Sequence, residues 1–289
     1  MIKTYARVIN NLFFFKQVIK FFINLICTKS LLTKTGIMKK ILCVLSLLFV
    51  FSCNNSPNSK ENVSVFSNET VLIVNYQLEN MTLEEHAELG AAVAPNFTSE
   101  NIAGLVGKSF IGDTARGVFG GVYYFADHES VKKYLESDLW KGIVAHPNLV
   151  KFTTNVFRAF DGTEMANGIH SMRKTSSDVS DVKNMHILVV NYTNEVNPSD
   201  QEMSKQVMEY APVFSNENFP GMIGKTMINS IDGNVYGGVY YFTSKSAIDQ
   251  YFKSDLWTGF EGDDNTDVYK KDIYSVAPIS TISNGVPTL

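Results

Sequence analysis

The chain has 289 residues, 45% apolar, 12% aromatic and 19% charged, with a formal charge of −4 and three cysteines. That length supports one large domain or two small ones with real cores, and the aromatic content excludes wholesale disorder. Residues 1–52 carry eight of the 25 Lys and Arg and none of the 29 Asp and Glu, so 53–289 holds 17 basic against 29 acidic residues, about −12. Such a surface repels phosphate backbones and argues against nucleic acid as a partner.

Met38-Lys39-Lys40 precedes an apolar run from Ile41 to Phe51, which ends in Ser52-Cys53. A run of roughly eleven residues suits the core of a secretion signal and is short for a bilayer span. A small residue directly before Cys resembles a bacterial lipobox. The resemblance implies that the chain is cut before Cys53 and that Cys53 is acylated, which anchors the protein to a bilayer at the periplasmic side or cell surface of a bacterial envelope. An ordinary signal peptide with a coincidental Cys is the plainer alternative. Residues 1–37 are expected to reflect a start codon placed too early, 38–52 to be the lipoprotein signal peptide and 53–69 a flexible tether. Cys27 and Cys43 precede the cut, so the folded part offers no thiol nucleophile, disulfide or thiolate metal site.

An internal repeat dominates the rest. Gly120-Gly121-Val122-Tyr123-Tyr124-Phe125 returns as Gly237-Gly238-Val239-Tyr240-Tyr241-Phe242, and Ser137-Asp138-Leu139-Trp140 returns as Ser254-Asp255-Leu256-Trp257, both 117 residues later. Val74-Asn75-Tyr76 returns 116 residues later as Val190-Asn191-Tyr192. In each copy the elements run strand, helix, strand, strand, helix, strand. Val71 to Tyr76 is a β-branched strand. Thr82 and Ser199 open helices with capping boxes, the first running to about Val93. Leu105 to Ile111 and Val118 to Phe125 flank a polar turn, matched in copy two by the hairpin signal Asp232-Gly233-Asn234. One second helix is expected after Asp127, with Val131, Tyr134, Leu135 and Leu139 on its apolar face. Lys151 to Phe160 alternates and closes the unit. The expected fold class is α+β: two tandem ferredoxin-like βαββαβ units at 70–161 and 185–280, joined by a linker at 162–184. Stacked sheet against sheet, they would form an intrachain pseudo-dimeric α+β barrel, and hence a monomer with an internal two-fold.

The Gly-Gly-Val-Tyr-Tyr-Phe string, followed six residues on by a Val-rich helix with Tyr134-Leu135, resembles the YdhR-like mono-oxygenases of the dimeric α+β-barrel superfamily, over about 71–160 and 186–279. The resemblance implies an oxygenase working without flavin or metal on a small aromatic or quinone-like molecule. Haem-degrading members of that superfamily offer a second resemblance. It maps their strand Asn onto Asn75, their helix Trp onto Tyr134 and their His onto His146, which Asp263 replaces in copy two. It implies haem binding or breakdown in the first repeat as an alternative. A lipoprotein that binds a small hydrophobic ligand or a partner without catalysis is a third reading.

The candidate catalytic residues are therefore Asn75, His86, Tyr124, Trp140 and His146, with Tyr76, Tyr134 and Arg116 as ligand-binding candidates. A neutral imidazole on the first helix at His86 could move a proton, and Arg116 could meet an anionic group. No His pair has zinc-ligand spacing, so no metal site is expected. Gly107-Lys108-Ser109 and Gly224-Lys225-Thr226 lack the opening glycine of a phosphate loop, and both lysines are expected at exposed strand starts. His128 and His170 are expected to be solvated.

Overall fold

A computed structural model describes residues 66–160, 184–196, 198–231, 235–283 and 286–288. The leader, Cys53, the tether, His170 and the Asp232–Asn234 turn lie outside the described residues. Repeat one comprises β1 (Phe66–Leu78), α1 (Leu83–Val93), β2 (Leu105–Asp113), β3 (Val118–Phe125), α2 (His128–Glu136), α3 (Asp138–Val144) and β4 (Leu149–Phe160). Repeat two comprises β5 (His186–Asn194), α4 (Asp200–Tyr210), β6 (Met222–Ser230), β7 (Val235–Phe242), α5 (Lys245–Tyr251), α6 (Asp255–Glu261) and β8 (Thr266–Val276). A short hairpin, β9 (Thr281–Ser283) and β10 (Val286–Thr288), follows.

Both capping boxes form: the Thr82 and Ser199 hydroxyls accept the amides of Glu85 and Glu202, whose carboxylates accept the cap amides in return. The single second helix expected in each copy is instead two. Ser137 is extended, with ψ 156°; its hydroxyl donates to the Tyr134 carbonyl at 2.6 Å and accepts the Trp140 amide at 3.2 Å. Ser254 does the same between Tyr251 and Trp257. A serine that satisfies one helix's carbonyl and the next one's amide favours a corner over continuation.

The strands close into an antiparallel barrel in the order β1-β3-β2-β8-β5-β7-β6-β4. One seam pairs Ile111 with Val276 and Gly112 with Ser275. The other pairs Phe157, Arg158 and Ala159 with Ser230, Asn229 and Ile228. Antiparallel pairing at every step brings the C-terminal ends of β1, β2, β5 and β6 to one end of the barrel. The repeats are thus related by a pseudo-two-fold along the barrel axis.

Strand alternation divides the apolar residues into three layers. Val71, Ile73, Val122, Tyr124, Ile187, Val189, Val239 and Tyr241 fill the lumen. Leu72, Val74, Tyr123 and Phe125 meet the helices of repeat one, and Leu188, Val190, Tyr240 and Phe242 those of repeat two. Inside the lumen the halves are bonded symmetrically: Ser109 Oγ lies 3.1 Å from the Tyr241 hydroxyl, and Thr226 Oγ1 lies 3.5 Å from that of Tyr124.

The repeated Gly-Gly has a separate reason at each position. A Cβ on Gly120 would lie 1.8 Å from the Val74 carbonyl oxygen across the strand pair, so only glycine permits that approach. A Cβ on Gly121 would lie 2.7 Å from the Tyr123 ring and 3.2 Å from Lys108 Cε, on the helix side. The space belongs to the lysine. Lys108 and Lys225 are 2% and 6% exposed, contrary to the surface position expected of them. Lys108 Nζ lies 2.9 Å from the Phe97 ring centre and 3.5 Å from that of Phe110, and Lys225 Nζ lies 3.4 Å from Phe214 and 4.5 Å from Tyr240. Burial holds both amines well below the usual lysine range.

Candidate functional site

The two helix–sheet layers share a plan but not a filling. In repeat two, α4 turns Met203 and Val207 into the layer, where both are buried. Their counterparts on α1 are His86 and Gly90, and α1 buries none of its residues. Phe252 and Phe260 of repeat two correspond to Leu135 and Ile143. Trp257 is 2% exposed and donates to the Glu261 carboxylate at 2.9 Å, whereas Trp140 is half-buried and has Val144 at the Glu261 position. Repeat one therefore has a less fully packed, partly polar layer under α1 where repeat two is packed.

In that layer the Tyr76 hydroxyl and His86 Nε2 are hydrogen-bonded at 2.8 Å. Tyr76 arrives on the helix-facing side of β1, and His86 from the first full turn of α1, whose start the Thr82 cap fixes. Aromatic rings enclose the pair. Phe119 lies 4.7 Å from the imidazole, Phe152 lies 5.2 Å from the Tyr76 ring, and Trp140 continues from Phe152 at 6.0 Å to Tyr134 at 5.7 Å. Burial pushes the Tyr76 hydroxyl well above its usual range and the His86 imidazole below its own. Both groups are neutral near pH 7, the form in which a Tyr–His pair can relay a proton.

The structure thus brings together His86, Tyr76, Trp140 and Tyr134 among the residues singled out from sequence. Tyr124 belongs elsewhere: it is fully buried in the lumen, and Tyr123 is the tyrosine of that strand that faces the helices. Asn75 lies on the lumen face with Val71 and Ile73, so the sheet separates it from Tyr134. His146 closes the turn after α3, its Nδ1 accepting the Asn148 amide at 3.3 Å. The Asn75, Tyr134 and His146 set implied by the haem resemblance does not assemble in one pocket, and these residues do not fit a haem. Arg116, expected to be available to an anion, is paired with Asp113 and Asp272. His128, expected to be solvated, has its Nδ1 buried, with no hydrogen-bond partner among the described residues. Phe119, Phe152 and Gly90 were not anticipated, although the replacement of His86 and Gly90 by Met203 and Val207 between the copies was readable. Among the described residues no cluster of His, Cys, Asp or Glu could hold a metal ion.

Comparison with known proteins places this geometry. Residues 71–169 match the family described as "Putative mono-oxygenase ydhR". The match covers 99 of the 289 residues, so it is a similarity of the first repeat to that family. A monooxygenase of Fusobacterium nucleatum, described as putative, shares 9% identity over 77% of this chain and 98% of its own, with a TM-score of 0.53. One of Lactobacillus acidophilus, described in the same way, shares 13% identity over 77% of this chain and 99% of its own, at 0.47. A mutant chlorite dismutase from Candidatus Nitrospira defluvii shares 10% over 74% and 92%, at 0.49. At 9% identity the Fusobacterium protein shows a shared fold and nothing finer. No protein of curated function matches the chain.

Proposed function

We propose that the YdhR-like repeat is an oxygenase site for a small aromatic or quinone-like molecule, needing no cofactor, on a protein held at a bilayer by acylated Cys53. The Tyr76–His86 pair carries this reading. It is the only hydrogen-bonded acid–base pair that the layer under α1 contains among the described residues, and repeat two replaces its base with Met203. A substrate in the enol form of its CH₂–carbonyl unit, donating its hydroxyl to Tyr76, would pass its proton along, Tyr76 donating in turn to neutral His86 Nε2. The resulting enolate gives electrons to dioxygen at its acidic carbon, forming a hydroperoxide that loses water. The net change, CH₂ + O₂ → C=O + H₂O, balances without any further reductant. Phe119, Phe152 and Trp140 supply the dry, flat walls such a substrate needs.

Oxygen uptake with anthrone as the probe tests this. Wild-type protein is expected to consume oxygen with an acid limb below pH 6.5, because His86 stays unprotonated to lower pH than a free imidazole. His86→Ala and Tyr76→Phe are each expected to lower the rate by about 10²-fold, and His86→Ala to abolish the limb. Anthrone binding without uptake, or uptake indifferent to both substitutions, overturns the assignment.

A further inference from the structure

We propose that the lumen at the barrel end bearing the C-termini of β1 and β5 is a second binding site, which takes a small trans secondary amide between Asn75 and Asn191. Both asparagines fall on the inner strand face, one step from Ile73 and Val189. Asn75 Oδ1 and Asn191 Nδ2 are buried and have no hydrogen-bond partner among the described residues. Asn191 is only 3% exposed, and its Nδ2 lies 3.0 Å from the point where a Gly237 Cβ would enter the lumen. Burying an amide group without a partner is costly. Here the cost recurs at equivalent positions of both repeats, on the same level of one barrel.

The ring order sets the geometry. β1 and β5 stand four strands apart in a ring of eight, so the two inward asparagines stand on opposite sides of the lumen. An eight-stranded barrel has room inside for side chains or for one small ligand. The occupant must therefore present a donor toward Asn75 and an acceptor toward Asn191 in opposite directions. A trans secondary amide does this; a lactam, whose N–H and C=O point to the same side, does not. The guest should be uncharged, because Asp113 and Asp272, the latter level with Val189 on the inner face, are already neutralised by Arg116 and by Lys270, which stands beside Asn191. Ile73 and Val189 give its carbon atoms an apolar floor. Thr153 and Asn155, exposed on the same inner face of β4, leave the way in open.

Titration of the ¹⁵N-labelled protein with N-methylacetamide, followed through the side-chain amide resonances of Asn75 and Asn191, tests the site. Both resonances should shift together and saturate at one probe per chain. Asn191→Leu should abolish the saturation, and 2-pyrrolidone should bind wild type at least ten-fold more weakly, a comparison that needs no variant to fold. Shifts that grow linearly without saturating, as a lumen holding only exchanging water would give, overturn the proposal. So would equal affinity for the two amides, or undiminished binding by Asn191→Leu. None of these outcomes depends on whether the Tyr76–His86 layer is catalytic.

Discussion

The caged lysines make the sharpest stability prediction. Lys108 and Lys225 are buried against aromatic rings with no carboxylate partner among the described residues, and burial displaces both titrations well downward. In the unfolded chain each amine keeps its proton to about pH 10.4. Between the folded and unfolded values the unfolded state binds one more proton per lysine, so stability rises with pH toward 10.4. The slope is about 1.4 kcal/mol per pH unit for each lysine. Replacing both by Met, which is of similar length, removes that slope. At pH 7 it also removes the cost of giving up two protons on folding and leaves an apolar chain in each cage. Urea unfolding of wild type and Lys108→Met/Lys225→Met from pH 6 to 10 should therefore give a rising curve and a flatter one, with the variant ahead at pH 7. Parallel curves, or a variant weaker by more than about 1 kcal/mol, would show that the cages hold cations and that the reasoning is wrong.

Gly120→Ala should be far more damaging than Gly121→Ala. The first forces a Cβ onto the Val74 carbonyl, whereas the second meets a ring edge and the Lys108 stem and should cost about 1–3 kcal/mol in thermal or urea unfolding. Burial alone would raise the Asp272 carboxyl, but hydrogen bonds from Arg116 and the charge of Lys270 outweigh it and hold it low. Its contribution should persist above about pH 4 and vanish as pH falls through the lowered folded value. Asp272→Asn should cost about 0.5–1 kcal/mol, since Arg116 is partly exposed, and the difference should shrink with salt. Cys53→Ser should release the protein from membranes into the soluble fraction; retention in the membrane pellet would remove the lipid anchor.

The repeat was the strongest sequence signal because its cause is duplicated. Gly120, Gly121, Tyr124 and their counterparts each meet a contact that the two-fold duplicates, and identical surroundings keep identical residues. Strand alternation and the two capping boxes predicted most elements for local reasons. The helix break at Ser137 was missed because a single apolar face runs through it, with Leu139 still on the packed side. The choice of Tyr124 over Tyr123 failed because alternation tells that two neighbours face opposite ways but not which way is in. Buried lysines depend on how each repeat's helix layer folds over its sheet, and an Asn that faces the lumen instead of the helices depends on how the sheets close. That is a property of the assembled barrel and not of any segment.

Duplication within one chain also explains how a less fully packed layer can exist on one side only. In a barrel made of two identical chains, a His at position 86 would appear twice. Here each repeat need only cover its partner's inner face, so lumen contacts such as Ser109–Tyr241 are held in both halves while the outer layers are free to differ. His86→Met with Gly90→Ala would move repeat one toward the packed state of repeat two. Burying the methionine contributes about 1.5–3 kcal/mol, and removing a helix-interior glycine adds about 0.5–1 kcal/mol. The new Cβ would meet only the mobile end of Ile279, at 3.3 Å. The double variant should melt several degrees higher in calorimetry while losing anthrone-dependent oxygen uptake. A lower melting temperature would mean that α1 is already as well packed as α4, and that the layer beneath it is not the less packed one from which the catalytic reading starts.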